Sequence, residues 1–451
     1  MYMSNTSLKT TGECKEWREI NWSKVERRVF KLQKRIYRAS QRGDVIAVRK
    51  LQKMLIKSWY GRLLAVRRFS QINQGEKIIE VGGVQLLSPD KCFALAKRLK
   101  LNSKVKPMIS TVKDQPLQIL VKMSLENQWE AKFELSSYGF KLPKSCQDAI
   151  KAIVNCVKFH PKYLLKADIS QCFKCFDHEQ LLKKLDTYPT LRKQIRVWLK
   201  DGLINGKDLF KWEEVISPLL ANIAFHDTEE KIKHYTKALS DQCEGLSLIR
   251  YGGNLVIAHK NIEVVQKCQY IIRECLSDLC LELKPSQIII YHTLYRCGEE
   301  EPGFDFLGFN IRQHKVSKNQ SKLGFKTKIK PSTGMIRSHY CHIAEVIDKY
   351  KSASQAVLIR KLNPIVKSWV NYYSKLFVSK KIFQDLDNLI FQKLWGWAKR
   401  RHPNQNNHWI YQKYWQSIGE NKREFFGSDK NGSQVRLLRH ANLIYWSIEL
   451  A

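Results

Sequence analysis

The stretch Leu246–Lys260, LSLIRYGGNLVIAHK, decides the fold prediction. Two runs of β-type apolar residues, LSLI and LVIA, flank the segment RYGGN. Gly252 and Gly253 between such runs indicate a tight hairpin, because glycine reaches a positive φ without a Cβ clash. We therefore expect two antiparallel strands, with both glycines of the turn at positive φ.

Helices and strands alternate on either side of this hairpin, over residues 111–290. KYLLKADISQCF (162–173) indicates a strand that enters a turn, and SPLLANIAFHDTEEKIKHY (217–235) indicates a helix. Ser217 is the expected cap of that helix, and Pro218 its first residue. The pattern predicts an α+β domain built on a small, mostly antiparallel sheet.

The N-terminal part predicts a basic helical hairpin over residues 17–70. Apolar side chains share one face of the first helix, at Val25, Val29, Leu32 and Ile36, and the RGD segment (42–44) ends it. The opposite face carries Lys24, Arg27, Arg28, Lys31, Lys34, Arg35 and Arg38. The second helix has an apolar stripe at Val48, Leu51, Leu55, Trp59 and Leu63. This basic face either grips phosphates or is an ordinary solvated surface.

After about residue 325 the pattern is helical again. Residues 391–415 contain five Lys or Arg and no Asp or Glu, together with Trp395, Trp397, Trp409, Tyr411, Tyr414 and Trp415. Aromatic rings among cations can stack on bases while the cations neutralise phosphates, although the same rings could build a helical core. The run Lys399–His402 favours RNA, because clustered charges are hard to bury.

Composition points to a nucleic-acid partner. The 451 residues, enough for two to four domains, include 78 Lys and Arg against 42 Asp and Glu, a formal net charge of +36. No run of about 18 apolar residues predicts a membrane span, and the N-terminus lacks the apolar core of a secretory signal. Twelve scattered cysteines fit a reducing compartment, and the Cys172/Cys175 pair has no second pair to form a zinc site.

The order of motifs over nearly the whole chain resembles a group II intron-encoded protein, a reverse transcriptase and splicing maturase. INWSKVERRVFKLQKRIYRAS resembles the N-terminal extension of that family. Five further segments resemble the reverse-transcriptase blocks of that family and follow the same order: WEAKFELSSYGF, ADISQCFKCFDH, VISPLLANIAFH, LELKPSQ and FDFLGFNIRQH. IRKLNPIVKSWVNYYS and LWGWAKRRHPN resemble the maturase, or X, domain.

The resemblance implies an α+β right-hand polymerase with a helical N-terminal extension, fingers and palm, a helical thumb and a helical maturase domain. The boundaries that it implies are 15–75 for the RNA-binding extension, 76–320 for the fingers and palm, 321–360 for the thumb and 361–451 for the maturase domain.

The chain departs from the family where catalysis takes place. The family holds its metal ions with one carboxylate on the ADI strand, where Asp168 stands, and two from a YADD hairpin. Here the hairpin reads Tyr251, Gly252, Gly253 and Asn254, so both hairpin carboxylates are missing. Asp168 alone would be a weak, vestigial Mg²⁺ ligand, because two-metal catalysis needs clustered carboxylates. We expect no intact catalytic set and no cofactor requirement of the protein itself; Mg²⁺ would serve the intron RNA.

Other motifs of the family have also changed. KWEE (211–214) replaces the PQGG turn, KPMISTVKDQ (106–115) replaces the fingers motif, and Lys141 stands where the family has an arginine. Lysine keeps the charge but loses the two-pronged fork of arginine. No Cys/His cluster of an HNH endonuclease follows the maturase region, so DNA cleavage is not expected.

The leading prediction is therefore a group II intron maturase that binds intron RNA and assists folding and splicing, with its reverse transcriptase activity lost. The predicted RNA-binding residues are Arg27, Arg28, Lys31, Arg35, Arg67, Arg68, Trp369, Tyr372, Tyr373, Lys399, Arg400 and Arg401. One alternative is an active polymerase in which Asp168, Asp177 and Glu213 or Glu214 converge on the metals. Two others are a decaying reading frame without activity and a scaffold recruited by an unrelated partner.

The resemblance and the composition also imply partners and a location. Intron RNA is the expected partner, no membrane is involved, and a homodimer is compatible with the family. A bacterial cytoplasm or the interior of an organelle such as a plastid fits a protein without a targeting segment. Secretion is not expected.

Overall fold

The computed structural model describes residues 17–75, 88–101, 115–133, 137–139, 145–168, 178–204, 215–226, 231–232, 234, 245–277, 284–376, 379–418, 422–428, 432 and 434–443. Helices and sheets are mixed along the chain, so the predicted α+β class is confirmed. Among the described residues, no helix combines the length and the apolarity needed to cross a membrane.

The helices, in chain order, are α1 (Trp22–Gln41), α2 (Val45–Lys57), α3 (Trp59–Gly75), α4 (Pro89–Arg98), α5 (Gln115–Glu130), α6 (Cys146–Val157), α7 (His178–Lys184), α8 (Pro189–Ile204), α9 (Ser217–Ala224), α10 (Ile262–Ser277), α11 (Thr333–Lys349), α12 (Gln355–Tyr373), α13 (Lys380–Arg401) and α14 (Asn407–Tyr414). The strands are β1 (Tyr163–Asp168), β2 (Ser247–Tyr251), β3 (Asn254–His259), β4 (Ile288–His292), β5 (Phe304–Phe306), β6 (Phe309–Lys315), β7 (Phe325–Pro331), β8 (Trp415–Ile418), β9 (Lys422–Ser428) and β10 (Gln434–Arg436).

The chain forms two compact units. Unit 1 comprises Met1–Ser145, Leu165–Ile257 and Glu263–Ile289, and unit 2 comprises Cys146–Leu164, Ala258–Ile262 and Ile290–Ala451. The strand orders are β2-β3-β1-β4, β5-β6-β7 and β10-β9-β8. The last two sheets are antiparallel throughout.

The N-terminal helices begin and end where the sequence predicts a break. Val25, Val29 and Ile36 of α1 are buried, as their spacing predicts. Gly43 has a φ of 71°, which a glycine adopts without strain. Asp44 then starts α2, because its side chain accepts a 2.9 Å hydrogen bond from the amide of Ala47.

The second predicted helix is in fact two helices. Ser58 has an extended backbone (ψ 132°), so α2 ends at Lys57 and α3 starts at Trp59. Trp59 and Leu63 therefore belong to α3, and the prediction that they continue the α2 stripe is wrong. Neither Ser58 nor its neighbours Lys57 and Trp59 is a Gly or Pro, so the sequence at the break itself does not signal it.

Helix α5 is the centre of the N-terminal bundle. Most of its residues are buried, and polar side chains of α1 and α2 bond to its carbonyl oxygens. Ser40 Oγ donates to the carbonyl of Gln128 at 2.8 Å, and Gln52 Nε2 donates to that of Ser124 at 3.3 Å. These bonds satisfy polar groups that would otherwise be costly to bury.

The hairpin predicted within residues 246–260 is present as β2 and β3. Gly252 has a φ of 59°, whereas Gly253 is not at positive φ, so only one of the two glycines fulfils the prediction. A positive φ at the first turn residue alone is the pattern of a type II′ turn, which suits the twist of paired strands.

The cap predicted for α9 is wrong. Ile216 is the N-cap and makes no side-chain cap bond, and Ser217 is already helical. Every residue of this short helix is buried, so its position is set by apolar packing instead of a polar cap.

Unit 2 includes helix α6, which comes early in the chain. Gln147 Nε2 donates to the carbonyl of Tyr372 at 3.0 Å, and Gln313 Nε2 donates to that of Val157 at 2.7 Å. Thus α6 is bonded both to α12 and to β6. Helix α12 also runs across the boundary that the resemblance places between residues 360 and 361.

Candidate RNA interface and polymerase-like site

The segment 137–139 packs against the hairpin. Tyr138 donates its amide hydrogen to the carbonyl of Arg250 at 2.7 Å, and Ser137 forms a parallel bridge with the same residue. A Cβ added to Gly139 would lie 2.2 Å from the amide nitrogen of Gly252, so only glycine allows the two backbones to approach this closely.

Arg250 holds this region together from inside unit 1. It is 4% exposed, and its Nη2 donates to Ser137 Oγ at 3.1 Å. Its Nη1 lies 3.4 Å from Asn222 Oδ1, and Asn222 Nδ2 donates to the carbonyl of Gly139 at 2.7 Å. Hydrogen bonds thus join α9, the hairpin and the segment 137–139 into one frame.

The metal-ligand positions of the family fall within this frame. Asp168 ends β1, which the strand order places beside β3, and Tyr251 and Asn254 flank the turn. All three side chains are half-buried, and Gly253 brings no ligand. These residues do not fit a two-metal site, because Asp168 is their only carboxylate. Among the described residues, no group of three His, Cys, Asp or Glu could hold a metal ion.

Several predictions fall outside the described residues. They concern Asp177, Glu213 and Glu214 as substitute ligands, the KWEE turn (211–214), Lys141, the Cys172/Cys175 pair and most of the fingers segment 106–115.

The basic face of α1 is exposed, as predicted. Arg27, Arg28, Lys31 and Arg35 all lie on the surface, and so does Arg68 of α3. Arg67 differs from them. Its Nη1 bonds Glu26 Oε1 at 2.9 Å, and its guanidinium carbon lies 4.6 Å from the ring centre of Trp22. Arg67 therefore links α3 to α1, in an ion pair and a cation–π contact.

Two of the aromatic residues predicted to bind RNA lie in the core of unit 2. Trp369 is 8% exposed and stacks on His339, with ring centres 4.6 Å apart, and Tyr373 is 1% exposed. Rings buried in this way cannot stack on a base, so we remove both from the candidate interface. Their spacing from Leu362 and Val366 on α12 was a signal of burial.

The half-buried Tyr372 has a structural partner too. Its hydroxyl donates to the carbonyl of Leu307 at 3.0 Å, and the hydroxyl of Tyr373 donates to that of Gly308 at 3.3 Å. Two neighbouring tyrosines thereby fix the turn between β5 and β6. The acceptors are backbone atoms 65 residues away, so no side-chain pattern in the sequence announces them.

The cations that end α13 divide into two kinds. Lys399, Arg400 and Arg401 are all exposed, and Arg400 Nη2 lies 3.5 Å from Asp348 Oδ1. Arg401 Nη1 donates to the carbonyls of Lys351 and Ala353 at 3.2 and 2.6 Å. Arg401 therefore secures the loop after α11, whereas Lys399 and Arg400 present charge to the surface.

The aromatic run 391–415 mostly builds a core. Trp397, Tyr414 and Trp415 are buried, in favour of the structural alternative for those rings. Trp409 is exposed, with Lys413 Nζ 4.6 Å from its ring centre. Trp409 is thus a surface aromatic beside a cation, which is the arrangement suited to a nucleic-acid base.

A buried polar chain in unit 2 has no counterpart in the sequence reading. His339 Nε2 lies 2.8 Å from His440 Nε2, and His440 Nδ1 lies 2.8 Å from Asp387 Oδ1. The Asp387 carboxylate also accepts hydrogen bonds from the amides of His440 and Ala441. Burial lowers the pKa of His339 to about 3, helped by the neighbouring His440 and His342, so this ring is neutral at ordinary pH.

Three family models match the chain in succession. Residues 17–99 match the N-terminal domain of reverse transcriptase, and residues 96–311 match reverse transcriptase (RNA-dependent DNA polymerase). Residues 336–415 match the group II intron, maturase-specific domain.

Curated relatives carry maturase and group II intron names. Maturase-like protein 1 of Euglena gracilis is 24% identical over 80% of both chains, and that of Euglena longa is 26% identical over 81% of this chain and 82% of its own. Group II intron-encoded protein LtrA of Lactococcus lactis subsp. cremoris is 30% identical over 33% of this chain and 26% of its own. With the polymerase-like frame and the maturase-specific segment together in one chain, the protein belongs to the group II intron reverse transcriptase/maturase family.

Proposed function

We propose that the protein is a maturase that binds its group II intron RNA, stabilises the splicing-competent RNA fold and has lost reverse transcriptase activity. One observation carries the proposal. The hydrogen-bonded frame around Tyr251–Asn254 is intact, while two of the three metal-binding carboxylates of the family are missing from it. A frame that keeps its geometry without its ligands supports a binding role more than a catalytic one.

The chemistry of splicing would belong to the RNA. Mg²⁺ would serve the intron, and the protein would require no cofactor of its own. The protein would contribute cations that offset phosphate repulsion where RNA segments approach each other. Because each such contact releases counterions, binding should weaken steeply as salt rises.

The proposed interface consists of exposed cations. In unit 1 these are Arg27, Arg28, Lys31, Arg35 and Arg68, and in unit 2 Lys399 and Arg400. Trp369 and Tyr373 would act through structure because they are buried, and Arg67, Tyr372 and Arg401 because they hold hydrogen bonds of 2.6–3.0 Å to other segments. Arg400 stays in the interface, because its ion pair with Asp348 is longer, at 3.5 Å, and leaves the guanidinium exposed.

The finer layout is part of the same proposal. The chain would have fingers and palm, thumb and maturase domains after its N-terminal extension, with a homodimer compatible with this layout. Relatives in Euglena and Lactococcus support an organelle interior or a bacterial cytoplasm as its location.

The test is splicing of the intron that encodes or adjoins the gene, with and without the full chain, at low Mg²⁺ and moderate salt. We expect faster splicing and no cDNA from an annealed primer, with either Mg²⁺ or Mn²⁺. Primer extension with Mn²⁺ would instead support an active polymerase with substitute ligands. Absence of both activities, together with a broad non-cooperative thermal transition, would support a decaying reading frame.

A further inference from the structure

A cationic cavity of about 640 Å³ opens in unit 1, beside α8. Among the described residues that line it, none is acidic, and five are basic: Arg49, Arg192, Lys193, Arg196 and Lys200. Like charges collected around one concavity repel one another, and a bound polyanion would relieve that repulsion.

Two carboxylates compensate part of this charge. Arg49 Nη2 pairs with Asp186, and Arg196 makes a two-pronged pair with Glu179 at 2.9 and 2.8 Å. Arg49, Arg192, Arg196 and Lys200 alone outnumber these two carboxylates, so the lining stays positive. The Asp186 pair also fixes the connection between α7 and α8, where this residue has a φ of 42°.

Arg192 adds an unsatisfied donor. Its Nε is buried and has no hydrogen-bond partner in the part of the chain that the structure describes. A buried charged donor without an acceptor is unfavourable. Anionic oxygen is the acceptor that guanidinium binds best, and phosphate offers several such oxygens.

A second cavity, of about 550 Å³, repeats these features. Its basic residues are Lys53, Lys57, Arg62 and Lys100, and Nε of Arg62 is also buried without a partner in the described chain. Thr187 and Pro189 line the first cavity, and Tyr188 and Thr190 line the second. Alternate residues of the short segment 187–190, in which α8 begins, thus line the two cavities.

The cations form two regular rows. Arg49, Lys53 and Lys57 follow one another at four-residue intervals on α2, and Arg192, Arg196 and Lys200 do so on α8. Four residues advance a helix by about 6 Å, so each row repeats its charge at about that interval. Such spacing is comparable to that of successive phosphates along a nucleic acid strand.

We propose that these two cavities form one RNA-binding surface, separate from the basic face of α1, which holds consecutive phosphates of an RNA backbone. The identity of the RNA as the intron rests on the proposed function. A single nucleotide would fill one cavity and leave the buried Nε atom at the other without an acceptor, whereas a strand can supply an acceptor to both. The surface therefore fits a strand.

The test compares three double variants of the full chain. Arg192→Gln/Lys200→Gln removes charge from the first cavity and Lys53→Gln/Lys57→Gln from the second. Lys267→Gln/Arg273→Gln, on the exposed face of α10, removes the same charge elsewhere. Filter binding of a single-stranded RNA of about 30 nucleotides is measured at several salt concentrations. Each lost phosphate contact lowers the slope of log Kd against log salt by about 0.7, so each cavity variant should lower it by about 1.4.

The control variant should bind with the wild-type slope. Equal slopes for all three variants would overturn the proposal, and so would displacement of the RNA by a nucleoside triphosphate at matched phosphate concentration. Thermal melting identifies a variant that fails to fold. If Arg192→Gln/Lys200→Gln fails to fold, the slope measured for Lys53→Gln/Lys57→Gln, which changes two exposed residues, tests the proposal. The binding measurement does not depend on splicing. Reduced salt slopes in the cavity variants without faster splicing by the wild type would reject only the proposed function. Faster splicing together with equal salt slopes would reject only this RNA-binding surface.

Discussion

Asn222 Nδ2 donates a 2.7 Å hydrogen bond to the carbonyl oxygen of Gly139. Through it, α9 is fastened to the segment that packs against Gly252 in the hairpin turn. None of these contacts uses the side-chain positions 253 and 254, where the family carries carboxylates. The hairpin can therefore keep its geometry after those carboxylates are gone.

Gly139→Ala should destabilise the protein by about 1–3 kcal/mol, the usual cost of inserting a methyl group into a packed site. The added Cβ would lie 2.2 Å from the backbone nitrogen of Gly252, and backbone has little room to move. Urea unfolding monitored by fluorescence measures the change.

Gly396→Ala is its matched control. A Cβ at Gly396, inside α13, meets nothing within 4 Å, so the substitution should stabilise the helix by about 0.5–1 kcal/mol. If both substitutions changed the free energy of unfolding in the same direction, the close approach of Gly139 to Gly252 would be contradicted.

Restoring the hairpin carboxylates should restore metal affinity. In Gly253→Asp/Asn254→Asp, three carboxylates with Asp168 would face a divalent cation, while Gly252 stays because of its positive φ. We expect Mn²⁺ binding, followed by electron paramagnetic resonance, to appear in this variant. Adding Asp168→Asn should abolish the gain. Equal Mn²⁺ binding by the wild type would argue that other ligands already replace the lost pair.

The basic face of α1 should act through charge alone. Arg27→Gln/Arg28→Gln/Lys31→Gln should reduce the salt slope of intron RNA binding by about 2, at about 0.7 for each contact, with little effect on the melting temperature. Arg67→Gln should behave differently and cost about 1 kcal/mol of stability, because it loses Glu26 and the ring of Trp22. An unchanged slope in the triple variant would remove α1 from the interface.

The buried histidine chain should make unit 2 sensitive to acid. The pKa of His339 is lowered to about 3 in the folded protein from an ordinary 6.5. Above pH 6.5 the ring is neutral in both states. Below it, the unfolded chain takes up a proton that the folded chain refuses, so stability falls as pH drops from 6.5 towards 3. The loss can reach about 1.4 kcal/mol per pH unit.

Melting temperatures at pH 7.5 and pH 5.5 measure this effect. His339→Gln keeps a donor towards His440 but cannot titrate, so its difference between the two pH values should be smaller than that of the wild type. His292 and His314 also have lowered pKa values and act in the same direction, so some acid sensitivity should remain. The control is His408→Gln, at an exposed position, which should keep the wild-type difference in melting temperature between the two pH values. If His408→Gln reduced that difference as much as His339→Gln does, the buried ring of His339 would not be its cause.

Local patterns predicted much of the fold. The hairpin, the buried face of α1 and the break at Gly43 each follow from adjacent residues with strong preferences. Where the sequence reading failed, the cause lay in contacts between distant parts of the chain. The burial of Trp369 depends on His339 and His440, and the position of α9 depends on its complete burial. Periodicity places Trp369 on one face of α12 with Leu362 and Val366, but it cannot identify the distant residues that cover that face.

The candidate site shows the same division. Exposed cations on α1 could be identified from the sequence, since charged faces are local. Arg250 could not, because its partners Ser137 and Asn222 lie 113 and 28 residues away. The two cavities could not be identified from the sequence either. The first collects its charges from α2 and α8, which are separated by more than a hundred residues, and the second collects them from α2, α3 and Lys100.

The hydrogen bonds of α6 bear on what evolution could remove from this protein. Helix α6 precedes the polymerase-like hairpin in the chain, yet Gln147 and Val157 are bonded to Tyr372 and Gln313 of unit 2. A deletion that discarded the polymerase-like region from its beginning would strip the maturase-containing unit of a core helix. The chain can therefore retain this region under selection for a stable RNA-binding unit alone, whether or not any DNA is synthesised.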